Sequence, residues 1–243
     1  MDDVSAARIL ISSLDLTSLG QNDTEADIQK LCTNAVTPYG NTASVCVFPQ
    51  FIPVAKDNLP LGIKIATVIN FPAGIADTAL LQKEISSALS LGADELDIVF
   101  PYRTFLNHDI DFCQKYLATA RELCQKHKMK IIIESGELKT IDNIKQATTL
   151  CINANADFVK TSTGKTPVSA TPEAANAILE TIAQSGKIVG FKASGGIKTF
   201  TDAKKYLTLS QSIMGASWVK PERFRIGASS VLKDLIATIQ KGY

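Results

Sequence analysis

Short apolar runs rich in β-branched residues alternate along the chain with longer segments whose apolar positions recur every three or four residues. The short runs predict strands at Ile9–Thr17, Ser44–Phe48, Lys64–Ile69, Glu95–Phe100, Met129–Glu134, Asp157–Thr161, Ile188–Lys192 and Arg223–Gly227. Several are nearly continuous rather than alternating, as in Ile131-Ile132-Ile133 and Ile98-Val99-Phe100. Continuous runs of that kind mark parallel strands covered on both faces.

The segments between them carry helix signals. Asp77 can cap the run that stops at Gly92, and Thr171 stands before Pro172, which can occupy a first helical position ahead of a run ending at Gly186. Asp23-Thr24 opens a third helix in the same way. No Pro/Ser-rich linker or low-complexity tract divides the chain. Eight strand–helix units in succession predict an α/β fold, a single-domain (β/α)8 TIM barrel over residues 1–243, because parallel strands need helical crossovers. The competitor is an open doubly wound sheet, weakened by the absence of a glycine-rich dinucleotide fingerprint after the first strand.

Composition narrows the function classes. The 243 residues are 45% hydrophobic, ample for a core, and carry 25 basic against 24 acidic side chains. That balance argues against a general nucleic-acid binder, which needs a basic face. Lys64, Asn70 and Asp77 interrupt the best apolar stretch, so no membrane span is expected. The acidic start, Met1-Asp2-Asp3, does not read as a secretory signal. Five cysteines without a C-x-x-C pair suggest neither a disulfide framework nor a zinc site. The expectation is a cytoplasmic protein without metal or other cofactor.

Active sites in such barrels form at the C-terminal ends of the strands. Read in order, those ends offer Asp15 and Thr17, Cys46, Asn70, Asp97, Glu134, Lys160, Lys192, and Gly227 with Ser229 and Ser230. Ionisable groups on buried strands cost several kcal/mol unless paired. Lys160 and Lys192 end consecutive strands, about 4.8 Å apart in a sheet. If both face inward, their repulsion at ~5 Å is roughly 3 kcal/mol at an effective dielectric near 20, enough to lower one pKa by about 2 units. A lysine so perturbed is a candidate Schiff-base nucleophile. In the other arrangement, one lysine points outward between helices. Asp97 shares a face with Glu95 and can either relay a proton or serve as a structural ion pair.

A second signal concerns anions. The loops after the seventh and eighth strands read Ala193-Ser194-Gly195-Gly196-Ile197-Lys198 and Gly227-Ala228-Ser229-Ser230. Glycines admit an anion to backbone N–H groups, and Ser229-Ser230 opens a helix whose N-terminus favours negative charge. Thr161-Ser162-Thr163-Gly164-Lys165 resembles half a nucleotide-binding loop but lacks its first glycine. His108 and His127 lie away from the strand ends, and Cys46 reads more readily as core than as a nucleophile.

These residues together resemble the deoxyribose-phosphate aldolase family. The resemblance rests on LDLT (14–17), CVFP (46–49), NFPAG (70–74), GADELDIVFPYR (92–103), ADFVKTSTGK (156–165), GFKASGG (190–196) and RIGASS (225–230), which span almost the whole chain. It implies a metal-independent class I aldolase that interconverts 2-deoxy-D-ribose 5-phosphate with D-glyceraldehyde 3-phosphate and acetaldehyde. Lys160 would form the Schiff base, Lys192 perturb it, and Asp97 relay protons. Gly164, Lys165, Gly195, Gly196, Ser229 and Ser230 match positions around the phosphate, and Asp15 and Thr17 match positions near the sugar hydroxyls. Cys46 matches a cysteine that aldehydes modify and the chemistry does not need. Some members end in a tyrosine that assists proton transfer; here Tyr243 is last, on a short tether. Partners are small sugar phosphates and aldehydes, with a homodimer as the working assembly. The rivals are another phosphosugar enzyme of the same fold, transaldolase-like or an isomerase, and a non-catalytic phosphosugar sensor.

Overall fold

The computed structural model describes residues 1–242. Ten strands form: β1 (Leu14–Ser18), β2 (Val36–Thr37), β3 (Gly40–Asn41), β4 (Ser44–Val47), β5 (Lys64–Ile69), β6 (Glu95–Val99), β7 (Lys128–Ile132), β8 (Phe158–Lys160), β9 (Gly190–Ser194) and β10 (Phe224–Ala228). Strands β2 and β3 make a small antiparallel hairpin that the sequence pattern did not announce. The other eight close a parallel barrel, neighbours following chain order from β4 to β10, with β1 pairing both β4 and β10. Helices run between the strands. The chain is a (β/α)8 barrel, as the alternation predicted.

Most strand ends shift by a residue or two, and two strand starts move by two residues or more, each for a physical reason. The first predicted strand, Ile9–Thr17, begins instead as helix: Asp3–Ser12 is α-helical, capped by the Asp2 carboxylate, which accepts from the Ser5 N–H. Its buried positions, Ala6, Ala7, Leu10 and Ile11, recur with the helical period and override the strand preference of the isoleucines. The seventh barrel strand starts at Gly190 rather than Ile188, which is 78% exposed. A side chain at 190 would meet the Phe158 ring at 2.5 Å, so glycine allows β8 and β9 to approach.

Helix ends follow the sequence signals closely. Asp77 and Thr171 each accept a hydrogen bond from a backbone N–H in the first turn of their helices, and Gly92 and Gly186 end those helices in left-handed conformation; Thr199, which the sequence reading did not single out, caps a further helix in the same way. The helix expected after Asp23-Thr24 spans Glu25–Asn34, and Thr24 with Asp27 forms a capping box.

Candidate active site

The interior of the barrel is ionic at its centre. Lys160, Lys192 and Arg225 are cross-strand partners on β8, β9 and β10. In-register neighbours of parallel strands point to the same side, and all three side chains are buried inside. Facing them are Asp15 on β1 and Glu95 and Asp97 on β6, with Lys130 of β7 as the cross-strand partner of Asp97.

Every group in this cluster has a partner. Lys130 Nζ lies 3.0 Å from Asp15, 2.6 Å from Glu95 and 2.9 Å from Asp97. Lys192 Nζ donates to Asp15 and, at 2.7 Å, to Asp97 Oδ2. Arg225 bridges Asp15 and Glu95. Lys160 Nζ reaches one carboxylate only, Asp97 Oδ2, at 2.7 Å. Four potential cations therefore face three carboxylates. The cluster is electrically balanced when one amine is neutral, and Lys160 has the weakest claim to a proton.

The pKa directions agree with that count. Burial is the largest influence on Lys160 and pushes its amine below the ordinary lysine range; Asp97 opposes this and Lys192 adds to it. Burial also weighs most on Lys192 and Lys130, but Asp15 and Asp97, joined by Glu95 for Lys130, outweigh it and hold both above the ordinary range. For Asp97, burial is again the largest influence and works upward, yet three lysines overcome it and keep the carboxyl below its ordinary range. One carboxylate charge shared among three ammonium groups holds none of them fully, which is why Lys160 stays depressed despite its short contact. The crowding lysine is thus a secondary cause, and removal from water the first.

Above the cluster opens a cleft of about 440 Å³ at the C-terminal ends of the strands. Lys160 reaches its floor, and Thr17, Gly164, Lys165, Gly195, Gly196, Ser229 and Ser230 line its walls. Asp97, Lys192 and Asp15 do not; they form the layer beneath, and Asp15 is wholly buried in ion pairs. Gly195 has φ +86, and a side chain there would meet Ser169 Oγ at 2.6 Å and Gly164 Cα at 3.1 Å. The two loops can approach because position 195 lacks a side chain; at Gly164 a Cβ would meet only Gly195 Cα, at 3.5 Å. Ser230 precedes the helix Val231–Lys241 without a side-chain cap, unlike Thr171 or Thr199. An uncapped helix start, two glycine turns, Lys165 and Lys198 give this wall of the cleft a positive character.

Cys46 lies on β4 in a small apolar cluster with Leu19, Ala66 and Val68, wholly buried, and burial pushes its thiol up. His108 and His127 stand outside the cleft. Tyr243 lies outside the described residues. Among the described residues, no group of three or more His, Cys, Asp or Glu side chains is placed to hold a metal ion; the three inner carboxylates already accept from ammonium and guanidinium groups.

Sequence reasoning missed Lys130, Arg225 and the part played by Glu95. The signal was present: Lys130 and Arg225 each interrupt an apolar strand, as Lys160 does.

A buried amine with a lowered pKa, at the floor of a cleft on the C-terminal face of a (β/α)8 barrel, is the arrangement of an enzyme that acts on carbonyl groups. The chain belongs to the DeoC/LacD family of aldolases, whose model matches residues 9–235. Among solved structures it is similar to the tetrameric deoxyribose phosphate aldolase of Aeropyrum pernix, with 26% identity, TM-score 0.77, and coverage of 97% of this chain and 96% of that one. A candidate deoxyribose-phosphate aldolase of Coccidioides immitis shares 28% identity at TM-score 0.83, covering 96% and 86%. A candidate of the same kind from Toxoplasma gondii shares the fold, with TM-score 0.88 at 21% identity over 98% and 95% of the two chains.

Proposed function

We propose that the chain is a class I aldolase that reversibly cleaves 2-deoxy-D-ribose 5-phosphate to D-glyceraldehyde 3-phosphate and acetaldehyde through a Schiff base on Lys160. The observation that carries this reading is that Lys160 is the one amine of the buried cluster that lines the cleft, and the one whose pKa is lowered.

The chemistry follows from the layering. Neutral Lys160 attacks the C1 aldehyde of the open-chain sugar, and loss of water gives an iminium ion. That ion withdraws electrons, so the C2–C3 bond breaks as the C3 hydroxyl loses its proton, and glyceraldehyde 3-phosphate departs. The remaining two-carbon enamine takes a proton at C2, and water releases acetaldehyde and the free amine. Asp97 is ionised, so its part is to accept a proton from a neighbouring amine and return it through a water in the cleft. Lys192 stays charged between Asp15 and Asp97 and keeps part of the Asp97 charge away from Lys160. The phosphate end sits against Gly164, Gly195, Gly196 and the Ser229–Ser230 helix start, which fixes the distance from phosphate to C1. We place the protein in the cytoplasm, a reading supported by five free, buried cysteines, and take a homodimer as its assembly.

Incubation with acetaldehyde and borohydride, followed by peptide mapping, should fix a reduced two-carbon adduct on Lys160. In parallel, the protein should form a deoxypentose phosphate from acetaldehyde and glyceraldehyde 3-phosphate. An isomerase would interconvert sugar phosphates without a trappable amine, and a sensor would turn over neither substrate.

A further inference from the structure

Glu134 sits just past the end of β7 and is fully buried. It holds a left-handed backbone conformation at φ 53° and ψ 60°, a state that a non-glycine residue adopts only at a cost in strain. Among the described residues its carboxylate has no ion-pair partner within 4.0 Å, and burial pushes its pKa up. It does not line the cleft. A strained, buried and unpaired carboxylate is an expensive feature, and the reaction scheme gives it no task.

Its contacts supply one. Glu134 Oε2 accepts from Thr163 Oγ1 at 2.5 Å, and Oε1 accepts from the Thr163 N–H at 3.2 Å and, at 3.3 Å, from the Thr166 hydroxyl, whose one hydrogen it shares with the Val168 carbonyl at 3.1 Å. Between those two threonines lie Gly164 and Lys165, which line the cleft. The grip passes inward, because Thr163 Oγ1 also accepts from the Lys165 N–H at 3.0 Å. Lys165 Nζ then reaches across to the Leu19 carbonyl at 2.8 Å, tying the loop after β8 to the loop after β1. A second support comes from Gly136, where a side chain would meet the Val168 carbonyl oxygen at 2.1 Å. The segment after β7 thus holds the β8 loop on both sides of Gly164-Lys165.

We propose that Glu134 is a positioning residue: through Thr163 and Thr166 it presets the Gly164–Lys165 backbone that receives the anionic end of the substrate. The inference rests on the proposed phosphate-bearing substrate, and its test separates the two. Binding of inorganic phosphate, followed by 31P line broadening or calorimetry, reads the anion site without any turnover. Glu134→Ala and Thr163→Val should each weaken phosphate binding about tenfold, as expected for loss of hydrogen bonds to a charged group. Glu134→Gln keeps one acceptor oxygen and should recover much of the loss. In kinetics, Glu134→Ala should raise KM for 2-deoxyribose 5-phosphate far more than it lowers kcat, and affect phosphate-free 2-deoxyribose much less. Unchanged phosphate affinity in folded Glu134→Ala and Thr163→Val would overturn the inference. Equal losses with phosphorylated and phosphate-free sugar would do so too, since a merely structural role predicts that pattern. If the wild-type protein binds phosphate but cleaves no deoxysugar phosphate, the substrate assignment fails while the role of Glu134 is still decided by binding.

Discussion

Lys160 and Lys192 are direct cross-strand partners, and both donate to the same atom, Asp97 Oδ2, each at 2.7 Å. Their nitrogens therefore lie no farther apart than twice that distance. The shared oxygen makes the pair unequal. Lys192 has a second carboxylate, Asp15, whereas Lys160 has none and stands at the floor of the cleft. Two ammonium groups competing for one carboxylate oxygen leave the less supported one to give up its proton.

The first consequence is for Lys160 itself. Arginine at this position keeps a cation against Asp97 but cannot form an imine, so Lys160→Arg separates chemistry from structure. Turnover should fall by at least about a thousandfold, since no other amine lines the floor of the cleft beside it. The thermal midpoint should stay within a few degrees of the parent. Residual activity near one tenth of the parent would mean that the nucleophile is elsewhere.

The pH profile tests the unequal pair. Lys160 reacts as the free base and its folded pKa is below the ordinary 10.5, so kcat/KM should rise with pH through an apparent pKa lower than that of a free lysine. Lys192→Met removes a like charge, which raises the Lys160 pKa, and also leaves Asp97 shared with Lys130 alone, so that a larger part of its charge acts on Lys160 and raises the pKa again. Both effects have one sign. The rising limb should therefore move to higher pH in Lys192→Met, by about one unit or more. A limb that stays in place or moves to lower pH contradicts the arrangement.

The anion end of the cleft depends on bare backbone. Gly195→Ala places a methyl group 2.6 Å from Ser169 Oγ and 3.1 Å from Gly164 Cα, at a φ that an L-residue rarely adopts. The Ser169 hydroxyl can turn away, but its Cβ, also 2.6 Å off, and the Gly164 backbone cannot. KM for a phosphorylated substrate should rise about tenfold, with stability reduced by about 1–3 kcal/mol. Steady-state kinetics at saturating and limiting substrate distinguish the two effects.

Much of this was legible in the chain because parallel strands bury both faces and make charged positions conspicuous. Lys160 stands out after Phe158-Val159, and Asp97 between Leu96 and Ile98. What sequence alone hid was depth. Asp15 reads as a strand-end residue near the substrate, yet strand β1 continues to Ser18 and leaves Asp15 a layer below. Lys130 and Arg225 escaped because their partners lie far away along the chain, 115 residues for Lys130 with Asp15 and 210 for Arg225 with the same carboxylate. Only barrel closure brings them together. The helical start at Asp3–Ser12 was obscured by the run Ile9-Leu10-Ile11, whose strand preference is overridden by burial at the helical period.

Lys130 supplies the last prediction, because it touches all three inner carboxylates while standing outside the cleft. Lys130→Met preserves volume but leaves Asp15, Glu95 and Asp97 to share Lys192, Arg225 and Lys160. Breaking a buried ion pair from one side costs about 3–5 kcal/mol, and urea unfolding should show a loss of that order. The pH dependence has a definite sign. Asp15 and Asp97 have folded pKa values below the ordinary 3.8, so their stabilisation is complete above that pH and is lost as pH falls through the folded values. Without Lys130 those folded values rise, burial being the largest influence on each carboxyl and working upward. Acid unfolding of Lys130→Met should therefore begin at higher pH than in the parent. The balance of charges also shifts towards protonated Lys160, so kcat/KM at neutral pH should drop even where the variant is fully folded. A variant as stable as the parent across the acid range would show that Lys130 is not what holds the three carboxylates ionised.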